Sequence, residues 1–329
     1  MVSATEFKPA HIVGETVVLS GTEPTKLLGR RIIRSSVKVT NAYKGGKIVY
    51  EPEKDYVIDT EAGTIQSVIG SRIPDFAKNM LFGKKDFDHS QFPGFGNGPY
   101  FAYVTYDCEA APVLTLPTDA TGRLERTLAK LKTGKPVKII ALGDSITAGG
   151  EATSKDLQFP ERFGAYLRRK YPGADIKVEN GATGGDTTAM GLPRLKEKVL
   201  TRKPDLVLIG FGMNDHNLEA VGGVPIPQFR QNLGSMVTQI REATAAECIL
   251  FSTFPPNPLW KFGSHRMEQY ADATKAASDD VGCAYADVFA VWSIVLERKD
   301  PPSLLGNNIN HPTDFGHWIY EQVLESIGL

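Results

Sequence analysis

Along the first third of the chain, apolar residues come in short runs rich in Val, Ile, Thr and Tyr. Residues 11–20, 36–40, 47–51, 55–59, 64–69 and 100–107 have the β-branched and aromatic content of strands. Gly45-Gly46 and Glu61-Ala62-Gly63 break the series with turn formers. Residues 74–99, which include DFDHSQFPGFGNGP, follow no period and predict a long irregular loop. Loops of that length either carry function or pack on the surface. The region up to residue 118 therefore predicts an antiparallel β-sandwich or jelly roll. No internal repeat or low-complexity tract is visible.

Beyond a turn-like stretch at 116–122 the rhythm changes. Leu124, Leu128 and Leu131 share one face of a short helix. VKIIAL, at 137–142, is the continuous apolar run expected of a strand buried on both faces of a parallel sheet. Phe159, Phe163, Tyr166 and Leu167 line one side of a helix that reaches Tyr171. Residues 175–180, 205–212, 247–254 and 283–289 supply four more strands. Helical stretches lie near 190–202, 226–245 and 265–281, and a last helix covers 315–327. This alternation predicts a doubly wound, parallel five-stranded sheet in a second domain, residues 119–329, after a β-sandwich domain at 1–118. Such folds bind ligands outside the carboxyl ends of their strands, so chemistry is to be sought there.

Charge and composition narrow the partners. The 329 residues carry 37 Lys and Arg against 38 Asp and Glu, a net charge of −1, which argues against a chain-wide grip on nucleic acid or on an anionic membrane. No apolar run approaches the ~20 residues of a transmembrane helix. The opening MVSATEFKPA lacks the basic and apolar regions of an intact secretory signal. A chain whose leader had been removed would read the same, so a secreted or periplasmic compartment and a cytoplasmic one both stay open. Cys108, Cys248 and Cys283 are too few and too dispersed for a disulfide framework or a zinc site, and read as buried apolar side chains. Oligomeric state is not legible.

Four polar clusters each stand at the end of a different element. Gly143-Asp144-Ser145-Ile146-Thr147 follows the first parallel strand, either as a helix cap or as a serine beside backbone N–H groups suited to an oxyanion. It lacks the GxSxG pattern of the nucleophile elbow. Asn180-Gly181-Ala182-Thr183-Gly184-Gly185-Asp186-Thr187-Thr188 follows the second strand, with glycines that let backbone approach a ligand. Gly212-Met213-Asn214-Asp215 follows the third and presents a side-chain amide. Asn310-His311-Pro312-Thr313-Asp314-Phe315-Gly316-His317 precedes the last helix and offers a histidine. A serine hydroxyl needs a base near neutral pH, which histidine supplies, and acyl transfer needs donors aimed at the developing oxyanion.

In this order, GDSIT, NGATGGDT, GMND and NHPTDFGH resemble the blocks of the SGNH hydrolases, or GDSL esterases, over about residues 137–329. The resemblance implies a flavodoxin-like sheet, Ser145 as nucleophile and His311 as base. It also implies an oxyanion hole made by the N–H groups of Ser145 and Gly185 with the Asn214 amide. No cofactor or metal is implied. The chain departs from the family at the residue three before the histidine, where an aspartate usually stands and this sequence has Asn308. A Ser–His dyad, a displaced carboxylate such as Asp300 or Asp314, and a catalytically silent scaffold all fit that departure. His311, Asp314 and His317 also have a spacing that invites a metal, but such a site would need a ligand from outside the cluster.

Trp260, among the prolines of FPPNPLWKFG, is either a platform for a sugar or acyl group or the packing of a loop. A β-sandwich joined to an SGNH domain resembles two-domain carbohydrate acetyl esterases. The reading is a serine esterase that releases acetyl groups from small-molecule or polysaccharide esters through an acyl-enzyme. Lipase, lysophospholipase or thioesterase action is the alternative within the class. A non-catalytic carbohydrate-binding protein on a decayed esterase scaffold is the alternative outside it.

Overall fold

The computed structural model describes residues 6–43, 46–115, 120 and 122–329. Gly45 of the expected Gly45-Gly46 turn, and most of the expected linker at 116–122, lie outside them. The chain divides into two compact units. The first contains Met1–Leu114, Pro256–Lys261 and Trp292–Gly316, and the second Thr115–Pro255, Phe262–Val291 and His317–Leu329.

Among the described residues the first unit holds eight strands: β1 (Phe7–Val17), β2 (Thr25–Lys26), β3 (Arg30–Ile32), β4 (Lys38–Thr40), β5 (Val49–Tyr50), β6 (Tyr56–Asp59), β7 (Thr64–Ser67) and β8 (Ala102–Pro112). They form two antiparallel sheets. One has the order β1-β8-β4-β5, with β3 also on β8, and the other the order β2-β7-β6. Between β7 and β8 lies the aperiodic stretch, which contains three short 3-10 turns.

Across the interior of this unit, Lys299 meets Glu15 at 2.6 Å, with both side chains fully buried. Glu15 also accepts from Tyr106 Oη at 2.6 Å and from the Leu28 N–H at 2.9 Å, while Lys299 donates to the Thr16 carbonyl at 3.0 Å. A buried charge is tolerable only when paired and hydrogen-bonded in this way. The late segment 292–316 is thus bonded into the N-terminal sheets.

The second unit is built on β9 (Val137–Gly143), β10 (Ile176–Asn180), β11 (Leu206–Gly210), β12 (Glu247–Phe251) and β13 (Ala284–Ala286). All pair in parallel, in the order β10-β9-β11-β12-β13. In sequence rank this is 2-1-3-4-5, the flavodoxin-like order, whose switch point lies between β9 and β11. Ile139, Ile140, Leu206, Val207, Leu208 and Ile249 are wholly buried, each stabilising by about 1.5–3 kcal/mol. Helix α1 (Glu125–Lys132) precedes β9, and α2 (Phe159–Lys170), α3 (Thr188–Lys198), α4 (Ile226–Ala243) and α5 (Met267–Val281) fill the four crossovers. They are followed by α6 (Val288–Leu296), α7 (Pro301–Leu304) and α8 (Asp314–Glu325).

One expectation is corrected here. The strand expected over 283–289 ends at Ala286, and Val288 already begins α6. VFAVWSIVL has an apolar residue at nearly every position, so no polar stripe reveals its helical period.

Candidate active site

Each candidate on the second unit hangs from the carboxyl end of a strand. Gly143 closes β9 opposite Gly210 of β11. A Cβ on Gly143 would lie 2.2 Å from the Gly210 carbonyl oxygen and 2.4 Å from Thr147 Oγ1. Only glycine allows this approach, which brings the β9 and β11 loops together. The Gly143 carbonyl accepts from the Thr183 N–H at 2.9 Å, and Asn180 Nδ2 donates to the Thr147 carbonyl at 2.8 Å, so the β10 loop joins the same edge. Ser145, half-buried, starts a tight turn in which Asp144 Oδ1 accepts from the Ile146 N–H at 2.9 Å.

The β10 loop passes close to the serine. A Cβ built on Gly184 would come 3.9 Å from Ser145 Cβ. Gly185 follows with φ +79°, a left-handed conformation, and open space around it. Buried Asp186 then pairs with Arg194 of α3. Asn214 Nδ2 donates to the Asp186 carbonyl at 3.0 Å, which fixes the orientation of the amide and leaves its second hydrogen for another acceptor. A second brace lies next to it. Asp215 Oδ1 accepts from the Thr188 N–H at 2.9 Å and from Thr188 Oγ1 at 2.5 Å, tying the β11 loop to the start of α3. Ser145, Gly185 and Asn214 are therefore carried by three loops at one sheet edge, and the β10 loop is bonded to both of the others.

Burial shapes the charge behind these donors. Asp144 is pushed up to about 7, chiefly by burial, with the charge of Asp215 adding, and burial pushes Asp215 up to about 6. Two carboxyls that resist ionisation oppose a nearby oxyanion less than two free carboxylates would. His216 is buried and donates through Nδ1 to the Met213 carbonyl at 2.5 Å, and burial lowers it to about 4.

His311 belongs to the first unit, and its loop is held at nearly every backbone group. Asn307 Oδ1 accepts from the N–H groups of Ile309, Asn310 and His311 at 3.0, 2.9 and 2.9 Å. The His311 carbonyl accepts from the Gly306 N–H at 2.8 Å. Asn308, at φ +57°, turns its side chain inward, where Oδ1 accepts from Asn97 Nδ2 at 3.2 Å and from Asn257 Nδ2 at 3.3 Å. Asn97, wholly buried, also donates to the carbonyls of Leu305 and Pro302 at 2.9 and 3.1 Å. Burial holds the His311 imidazole below its ordinary pKa, so at neutral pH the ring is the free base.

The other candidates of this region are placed as follows. Asp300 is exposed at the start of α7, and its side chain makes no capping bond. Asp314 is buried in the first turn of α8, where a carboxylate complements the helix dipole. Tyr103, in the same unit, is raised to about 12 by burial and by the charge of Asp314. Trp260 is 6% exposed, and its indole N–H donates to His89 Nδ1 at 3.0 Å, so it packs the loop and offers no open platform.

His317, in the second unit, is wholly buried and stacked on Phe159. Its Nδ1 accepts from the Phe159 N–H at 3.4 Å and its Nε2 donates to the Gly150 carbonyl at 3.2 Å. Both ring nitrogens are engaged, which leaves no lone pair for the metal that its spacing invited. Asn97, Asn257 and Asn307 escape sequence reasoning, although the Asn-Asn pair in GNNIN is a side-chain-turn signal.

The family model described as GDSL-like Lipase/Acylhydrolase family matches residues 141–319, more than half of the chain. The chain belongs to that family. An acetylxylan esterase of Geobacillus stearothermophilus is 25% identical over 225 residues, 60% of this chain and 97% of that protein. Its crystal structure superposes with a TM-score of 0.51 at 25% identity, over 60% of this chain and 97% of the other. An arylesterase of Vibrio mimicus is 34% identical over 135 residues, 41% of this chain and 62% of the arylesterase. The chain thus spans less than two thirds of that relative. A two-domain esterase active on acetylated mannans shares the fold, with a TM-score of 0.53 at 20% identity over 65% of this chain and 54% of the other. No helix of the described residues is long and apolar enough to cross a membrane.

Proposed function

We propose that this protein is a serine esterase that releases acetyl groups from carbohydrate esters. The observation that carries the reading is the trio of Ser145, Gly185 and Asn214 on braced neighbouring loops, with one Asn214 hydrogen committed and the other available. Ser145 Oγ attacks the acyl carbon while His311 takes its proton. The oxyanion accepts from the N–H groups of Ser145 and Gly185 and from Asn214 Nδ2. The ester C–O bond then breaks, and the sugar hydroxyl leaves with the proton held by His311. Water attacks the acetyl-enzyme, His311 again accepting a proton, and acetate departs as His311 returns that proton to Ser145 Oγ. In this reading Ser145 and His311 act as a dyad, and His311 is positioned by backbone and amide contacts of its loop.

Domains and substrate follow the same reading. Residues 1–118 are taken as a β-sandwich accessory domain of jelly-roll type, supported by two antiparallel sheets, and 119–329 as the catalytic domain. The acetylxylan esterase, matched over nearly its whole length, supports an acetylated saccharide. The 34% identity with the arylesterase favours a second reading, a hydrolase of small aryl esters.

A panel tests both. Acetate release is measured from acetylated xylo- and manno-oligosaccharides, with acetyl and octanoyl nitrophenyl esters alongside. Higher kcat/KM on the oligosaccharides, with acetyl preferred to octanoyl, is expected. Turnover of aryl esters with none on any acetylated saccharide would favour the second reading.

A further inference from the structure

The long loop at 74–99, aperiodic in sequence and unused by the reaction, walls a cavity of about 210 Å³ within the first unit. Phe82, 47% exposed, stands in this wall and is braced edge-on by Phe76 at a centroid distance of 5.8 Å. Lys84 and Asp300 line the same cavity with opposite charges, and the Lys84 ammonium lies over the Phe92 ring at 5.8 Å from its centroid. Asn308 is also in the wall, three residues before His311.

This combination selects a ligand class. Opposite charges on one small cavity leave no net attraction for an anion or a cation. Each can instead engage a hydroxyl, the carboxylate as acceptor and the ammonium as donor. An accessible aromatic side chain beside them suits the apolar face of a ring. We infer that the cavity is a subsite for one neutral pyranose ring of the substrate chain, held beside the loop that carries His311. The inference rests on the carbohydrate-ester reading and adds where a sugar unit is bound.

The test compares Phe82→Ala and Lys84→Ala with the unaltered full-length chain, on acetylated xylo- and manno-oligosaccharides and on nitrophenyl acetate. Loss of one ring contact is expected to raise KM for an oligosaccharide about five- to tenfold, with kcat within about twofold. Nitrophenyl acetate, which has no sugar to bind, should be turned over at the unaltered rate by both variants. Unchanged oligosaccharide KM in both variants overturns the subsite while leaving the esterase reading intact. Equal losses on both substrates also overturn it, since they mark damage to the fold. If the unaltered protein releases no acetate from any saccharide, the carbohydrate reading fails and the subsite fails with it.

Discussion

Asn214 has two amide hydrogens, and the fold commits one of them to the Asp186 carbonyl. The remaining hydrogen is oriented before substrate arrives, so its value lies in the developing charge more than in the ground-state carbonyl. Asn214→Ala should therefore lower kcat by ~10²–10³ with little change in KM, as steady-state kinetics on an acetyl ester would read. A pure KM effect would make Asn214 a substrate-positioning residue. His311 makes a second prediction at this scale. Its pKa is lowered by burial, so the acidic limb of kcat/KM should fall below the ~6.5 of an ordinary histidine, with activity lost as pH drops through that limb and the ring is protonated. His311→Ala should be nearly inactive. Asp300→Asn and Asp314→Asn should each keep more than about a tenth of kcat, whereas losing a triad aspartate costs about 10⁴ in the serine-protease case. Collapse in either variant, with circular dichroism unchanged, would identify a displaced triad acid.

At the scale of elements, the loop of His311 depends on an asparagine more than 200 positions earlier. Asn97 donates to the Leu305 and Pro302 carbonyls and to Asn308 Oδ1, and its own N–H donates to the Gly306 carbonyl at 2.7 Å. Asn97→Ala keeps the backbone bond to Gly306 but removes the Nδ2 donor shared by the Leu305 and Pro302 carbonyls and Asn308 Oδ1, at about 1–3 kcal/mol, and loosens the loop. Thermal unfolding should shift down, and kcat should fall about tenfold with KM within about twofold, because a misplaced base costs rate more than binding. An unchanged kcat would show that the loop holds itself. The sequence makes the parallel strands and most helices of the second unit legible because doubly buried strands and one-sided helices leave distinct periods. Its strand-end clusters stand out because Ser145, Gly185 and Asn214 each sit within a short local motif. By contrast, α6 is apolar on all sides, and Asn97 lies in GFGNGP, which reads as a turn. Nothing local to Asn97 reports a partner two hundred residues away.

For the molecule as a whole, a linear reading places a β-rich part before an α/β part, whereas the compact first unit also gathers in 256–261 and 292–316. The Glu15–Lys299 pair is among the bonds that do so. Lys299→Met would leave a buried carboxylate without its counter-charge and should destabilise by about 3–5 kcal/mol in urea unfolding, most of it recovered in a Glu15→Gln, Lys299→Met double variant. No recovery would place the role of Lys299 in its bond to the Thr16 carbonyl. The central claim is that Ser145 is the nucleophile of an acetyl esterase, and acetate release by Ser145→Ala tests it most directly. One hydroxyl is removed from a half-buried turn, so little packing is lost and circular dichroism should be unchanged. The account predicts that this folded variant loses nearly all acetate release from acetylated oligosaccharides. Wild-type rates from the same variant would contradict it.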